Sequence, residues 1–141
     1  MQNIFEMKFA ACSENQAFAR VCAAAFAARL NPTVAELNEI KTAVSEAVTN
    51  AIIHGYDGNC DGNWVFMRGQ IDVDEIFIEI EDKGRGIADI NAAREPLYTT
   101  KSDEERSGMG FTVMEEFMDE IVVESVLGSG TVIKMRKKIA K

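Results

Sequence analysis

The chain has 141 residues, 47% of them hydrophobic and 27% charged, which suits one globular domain over 1–141 with a sizeable buried core. Fifteen basic against 23 acidic residues leave a formal charge of -8. That charge repels DNA, RNA and anionic membranes at long range and suits a partner with a basic face.

No apolar run approaches the ~20 residues of a membrane span, and the N-terminus lacks the basic and apolar regions of a signal peptide. A cytoplasmic protein is expected. Cys12, Cys22 and Cys60 form no CxxC pair and are odd in number, which suggests reduced thiols and neither a zinc site nor a disulfide framework.

In chain order, residues 4–9 alternate Phe5, Met7 and Phe9 with Glu6 and Lys8, the pattern of a half-buried strand. Ser13 and Gln16 fit a capping box, and the alanine-rich stretch to Leu30 favours a helix. After Pro32, Thr33 and Glu36 offer a second capping box. Leu37, Ile40, Val44, Ala47, Val48 and Ala51 then hold helical spacing as far as Gly55, the expected C′ residue. A turn-rich stretch over 56–63 leads to two strands, about 64–71 and 75–81. A polar segment of about 87–108 reads as a mobile lid. A helix over about 109–119 and a hairpin over 121–136, turning at Gly128-Ser129-Gly130, complete the chain. This order predicts an α+β, two-layer α/β sandwich: a mixed, mostly antiparallel sheet with helices on one face.

Three short segments carry chemistry. On the second helix Glu46, Asn50 and His54 recur every fourth residue and share one polar stripe. Mg²⁺ takes hard oxygen ligands, usually one or two from protein, and the Asn50 amide oxygen can be one. Glu46, a turn earlier, can accept a proton from an attacking hydroxyl. A solvated helix face is the alternative, and for His54 a helix-terminal imidazole near the dipole is favoured over catalysis.

Asp82 follows a strand and precedes Gly84 and Gly86. An ionised carboxylate only accepts, so it suits the exocyclic amino group of adenine and repels the guanine carbonyl. The glycines let backbone pass close beneath a base; an ordinary strand-end turn is the alternative. Gly108 and Gly110 open a helix whose N-terminal amides favour phosphate, and Arg106 upstream can add a charge-assisted contact. A flexible helix entry remains the alternative. The Gly-x-x-x-x-Gly-Lys-Ser/Thr loop is absent, and no Gly-x-Gly-x-x-Gly follows the first strand, which disfavours P-loop and Rossmann folds.

The order Glu-x-x-x-Asn, Asp-x-Gly-x-Gly, Gly-x-Gly resembles the ATP-binding superfamily of histidine kinases, gyrase and MutL-type ATPases, with its Bergerat-type fold. The stretches Val44–Tyr56, Pro96–Lys101 and Glu105–Phe111 are similar to the anti-sigma-F factors of sporulating bacteria, along essentially the whole chain. The resemblance implies an ATP/Mg²⁺-dependent protein serine kinase that also sequesters a sporulation sigma factor. Its protein substrate would be the anti-anti-sigma factor, and it would act as a homodimer without direct contact to nucleic acid or membrane. Either ATP or ADP would bind.

On matching positions, the resemblance makes Glu46 the general base, Asn50 the Mg²⁺ ligand and Asp82 the adenine acceptor, with Thr131 near the base. Gly84 and Gly86 shape that wall. Lys101, Arg106, Gly108 and Gly110 face phosphate, with Arg106 assisting transfer, and Arg20 on the first helix contacts a partner. Lys83 and Arg85 add positive charge to the Asp82 loop, and the first helix is unusually alanine-rich. A histidine-kinase fragment would need a separate helical domain with a phosphoacceptor histidine, whereas His54 is the one histidine and lies in the ATP-site helix. A general-stress anti-sigma kinase and an ATP-gated sigma-binding module without turnover stay open as alternatives.

Overall fold

A computed structural model describes residues 2–88 and 110–139. The elements are β1 (Asn3–Ala10), α1 (Asn15–Ala27), α2 (Val34–Thr49), β2 (Trp64–Asp72), β3 (Glu75–Asp82), α3 (Gly110–Phe117), β4 (Glu120–Val126) and β5 (Gly130–Lys138). The strands form one sheet in the order β1-β2-β3-β5-β4. Each neighbouring pair is antiparallel, so the expected parallel admixture is absent among the described strands.

Strand alternation decides which face is covered. Val65, Met67, Ile76, Ile78, Ile80, Ile133 and Met135 are buried on one face beneath Ile40, Val44 and Val48 of α2. Each such side chain contributes about 1.5–3 kcal/mol by leaving water. The other face carries ion pairs, Arg68 with Glu79 and Glu81, and Arg136 with Glu75 and Glu120. Half-exposed pairs of this kind contribute little, about 0–1 kcal/mol each. They keep that face polar.

Helix α1 buries Ala19, Ala23 and Ala27, one residue per turn, and these small side chains let it pack closely on α2. α2 thus lies between α1 and α3. Lys137 of β5 ties this arrangement together. Its ammonium donates to the Phe117 carbonyl at 2.7 Å, at the end of α3, and pairs with Glu39 of α2 at 3.2 Å.

Helix boundaries follow local chemistry with two corrections. Thr33 and Glu36 form the expected capping box at α2. The one expected at α1 does not form: Glu14 occupies the N-cap without a side-chain bond. The Gln16 amide reaches instead to α2, donating to the Ser45 carbonyl at 3.1 Å and to the Thr49 hydroxyl. A tertiary partner outcompetes the local cap. The second helix does run to Gly55, but its last six residues, Asn50–Gly55, form a π-helical turn, and Tyr56 is the C-cap. Gly55 therefore does not serve as a left-handed C′ residue, and its use is set by Asp82.

Tertiary structure also brings two of the cysteines together. Cys12 and Cys60 lie side by side, their Cα atoms 4.7 Å apart across 48 residues of sequence, while Cys22 is free. The Ala11 amide donates to the Asn63 carbonyl at 2.9 Å, which brings the two loops into register. A separation of 48 residues holds no local pairing signal.

Candidate functional site

The site lies where the end of α2 meets the end of β3. Asp82, the last residue of β3, is 3% exposed. The Gly84 amide donates to its carboxylate at 2.9 Å, closing a tight turn after the strand. Burial pushes the Asp82 carboxyl up to about 6, against the opposing pull of the Gly84 and Thr131 amides. Desolvation wins because few groups here compensate the buried charge. Above that value Asp82 is an acceptor-only group.

Gly55 and Gly84 make the approach of the two elements possible. A Cβ on Gly55 would lie 2.6 Å from the Asp82 carboxylate, and one on Gly84 would lie 1.9 Å from the Gly55 carbonyl oxygen. No side chain fits at either position. Gly86 has φ of +76°, a left-handed conformation, and lies against the end of β4, where a Cβ would come within 2.3 Å of the Val126 carbonyl oxygen. The Arg85 amide donates to the Gly55 carbonyl at 3.0 Å, and its guanidinium donates to the His54 carbonyl at 2.7 Å. Arg85 thus binds the C-terminal carbonyls of the helix, where a cation is favoured by the dipole. The Lys83 ammonium sits over the Phe66 ring, 5.4 Å from its centroid. Both extra cations of this loop are held by protein groups.

Glu46 and Asn50 are half-buried, one turn apart at the junction of α2 with its π-helical turn. The Asn50 backbone N–H is directed at the carbonyls of Ala47 and Glu46. A π turn takes more residues per revolution than an α turn. Such turns are frequent at functional sites. Thr131 is buried on β5 directly opposite Asp82 in register. Its hydroxyl lies 2.8 Å from that of Ser125, which also accepts from the Ile87 amide at 2.7 Å.

Gly110 opens α3. Lys101, Arg106, Gly108 and nearly all of the expected lid over 87–108 lie outside the described residues. Arg20 is half-buried on α1, away from the Asp82 turn in sequence. So the fold brings Gly55, Asp82, Gly84 and Thr131 into one wall, with Glu46 and Asn50 on the helix that ends against it.

Tyr56 holds the site together through its hydroxyl. Its hydroxyl accepts from the Lys83 amide at 2.7 Å and donates to the Trp64 carbonyl at 2.6 Å, pinning the Asp82 turn to the start of β2. Ser125 likewise links Thr131 to the Ile87 amide. Neither contact leaves a local trace, since each partner is distant in sequence. The pocket lined by Gln2, Asn3, Arg29, Leu30, Ile71 and Val73 lies at the opposite end of the sheet and is no part of this wall.

The family model of the histidine kinase-like ATPase domain matches residues 9–137. The anti-sigma F factor of Geobacillus thermodenitrificans is 55% identical over 141 residues, covering 100% of this chain and 96% of that protein. That of Bacillus subtilis is 50% identical over the same length, again 100% and 96%. The chain belongs to the anti-sigma F factors, within the histidine kinase-like ATPase domain family. That of Clostridium acetobutylicum is 56% identical over 140 residues, covering 99% and 96%. Among solved structures, that of the RsbU and RsbW domains of Rv1364c from Mycobacterium tuberculosis superimposes with a TM-score of 0.68 at 16% identity. It covers 97% of this chain and 32% of the longer one, and the likeness is one of fold.

Membership of the ATPase domain family implies that the chain binds a nucleotide. The donor set suits a nucleotide carrying a hard cation. Among the described residues no three His, Cys, Asp or Glu side chains gather around one point. Mg²⁺ held by phosphates, waters and a single protein oxygen needs no such cluster. No helix among the described residues is long and apolar enough to cross a membrane.

Proposed function

We propose that this protein binds and inhibits a sporulation sigma factor and phosphorylates that factor's protein antagonist on serine, using ATP. The reading rests on the buried Asp82 carboxylate in the wall made by Gly55, Gly84 and Thr131. At neutral pH this group is ionised and accepts the adenine amino group, while guanine would present it with an oxygen. Thr131, bonded to Ser125, borders the base.

Glu46 is the general base. It stands one turn before Asn50, within reach of the hydroxyl of a bound serine, and takes its proton as the oxygen attacks phosphorus. Asn50 would hold Mg²⁺ through its side-chain amide oxygen, and the metal would supply charge neutralisation at the phosphates. Gly110 at the head of α3 presents backbone amides to phosphate, together with Lys101, Arg106 and Gly108 of the lid. Arg106 stabilises charge during transfer. On α1, which carries Arg20, Phe18 and Val21 one turn apart are exposed apolar residues, at 50% and 61%. That combination of one cation with apolar neighbours suits a protein partner. The protein acts in the cytoplasm as a homodimer.

Incubation with radiolabelled ATP, Mg²⁺ and candidate antagonist proteins, followed by identification of the labelled residue, tests the reading. Transfer to one serine from ATP and not from GTP is expected. Equal transfer from both nucleotides, or label on the protein's own His54, would overturn it.

A further inference from the structure

We propose that Cys12 and Cys60 form a reversible dithiol–disulfide site that clasps the helical layer to the sheet and responds to low-molecular-weight disulfides. The proposal is independent of the kinase reading.

The two cysteines come from different loops. Cys12 lies between β1 and α1, and Cys60 in the turn-rich stretch between the π-helical turn and β2. Their Cα separation of 4.7 Å lies within the range a disulfide spans without backbone movement. The loops are held together independently of sulfur. The Ala11 amide donates to the Asn63 carbonyl, the Asn15 amide donates to the Cys12 carbonyl at 2.9 Å, and the Asn63 side chain donates to the Asn59 carbonyl at 2.8 Å. The reduced pair therefore stays in place, ready to close. Both residues are half-buried, so a small disulfide can reach them. Cys22, on α1, packs against the hydrophobic core and has no sulfur partner.

The covalent loop between Cys12 and Cys60 encloses α1 and α2 entirely, with Arg20, Glu46, Asn50 and Tyr56 inside it. Closing a loop of this length restricts the unfolded chain strongly. In a reducing compartment a disulfide persists only transiently, which is the usual condition of a redox-responsive one.

The chemistry balances as thiol–disulfide exchange. The thiolate of one cysteine attacks a sulfur of a disulfide such as oxidised glutathione, and the first glutathione thiolate leaves. The second cysteine, deprotonated, attacks the mixed disulfide, forming the Cys12–Cys60 bond and releasing the second glutathione thiolate. Two electrons pass from the cysteine pair to glutathione, and the two protons lost by the cysteines end on the released thiols.

The test uses the full chain, reduced and then exposed to excess oxidised glutathione, with alkylation, intact mass and thermal unfolding as readouts. Expected are a loss of two hydrogens, alkylation at Cys22 alone, and a rise in Tm on the order of 10 °C that dithiothreitol reverses. Cys12→Ser and Cys60→Ser should each abolish the rise, and Cys22→Ser should keep it. Three alkylatable thiols after oxidation, stable glutathione adducts, disulfide-linked dimers, or an unchanged Tm would each overturn the proposal.

Discussion

The carboxylate of Asp82 lies directly against Gly55, so closely that one added carbon on Gly55 would come within 2.6 Å of it. The contact joins the end of α2 to the end of β3. Through it, the helix carrying Glu46 and Asn50 and the turn carrying Asp82 behave as one piece. Gly55→Ala should displace the carboxylate and strain the turn, costing about 1–3 kcal/mol as overpacking does. Thermal unfolding and calorimetric ATP titration should both show the loss. An alanine variant with unchanged Tm and ATP affinity would contradict the contact.

Asp82 itself carries a conflict between stability and binding. Its folded value of about 6 lies above the 3.8 of an ordinary aspartate, so the fold prefers the protonated form. The destabilisation is complete above about 6, shrinks as pH falls, and vanishes below about 3.8. At 1.36 kcal/mol per pH unit it amounts to about 3 kcal/mol. Asp82→Asn should therefore unfold at higher temperature than the parent at pH 7.5, with the gain fading towards pH 4. The same variant gains a donor opposite the adenine amino group and should lose selectivity for ATP over GTP. In the parent, ATP affinity should fall as pH drops through about 6. A less stable Asn variant, or pH-independent binding between 5 and 8, would count against this account.

Glu46→Gln separates transfer from binding. The amide keeps the shape and much of the hydrogen bonding but cannot take a proton. Single-turnover transfer to the antagonist should fall by about 10²–10⁴-fold with ATP affinity nearly unchanged. Asn50→Ala should show the opposite split, losing Mg²⁺-dependent nucleotide binding. Undiminished transfer by Glu46→Gln would remove it as the base.

Tyr56→Phe deletes one hydroxyl that makes two bonds, to the Lys83 amide and the Trp64 carbonyl. A loss of about 1–2 kcal/mol in chemical denaturation is expected, with weaker nucleotide binding because the Asp82 turn is less firmly held. An unchanged denaturation midpoint would mean that water replaces the hydroxyl at no cost.

Arg20→Glu addresses the partners. Arg20 is on α1, outside the Asp82 wall, so ATP binding should persist while binding to the sigma factor or its antagonist weakens. If both partners use this surface, each should displace the other in size exclusion with purified components. A stable complex holding both on one subunit would reject a shared surface.

The strands, the capping box at Thr33 and the order of helices were legible in the sequence, because each is governed by neighbours a few residues away. Ile76, Ile78 and Ile80 alternate whatever they pack against, and Thr33 caps with Glu36 from its own helix turn. The candidate residues Glu46, Asn50, Asp82 and Gly84 were likewise identified by local motif, since a nucleotide imposes short, ordered patterns on the chain. Tertiary structure alone decided the contacts between motifs. Gly55 was read as a helix stop, yet the approach of the Asp82 carboxylate sets its size. Gln16 gave up a local cap for Ser45 and Thr49, Tyr56 reached Lys83, and Cys12 met Cys60 across 48 residues. These contacts form when antiparallel pairing and burial of the shared core bring distant segments together, and a linear pattern carries no record of that distance.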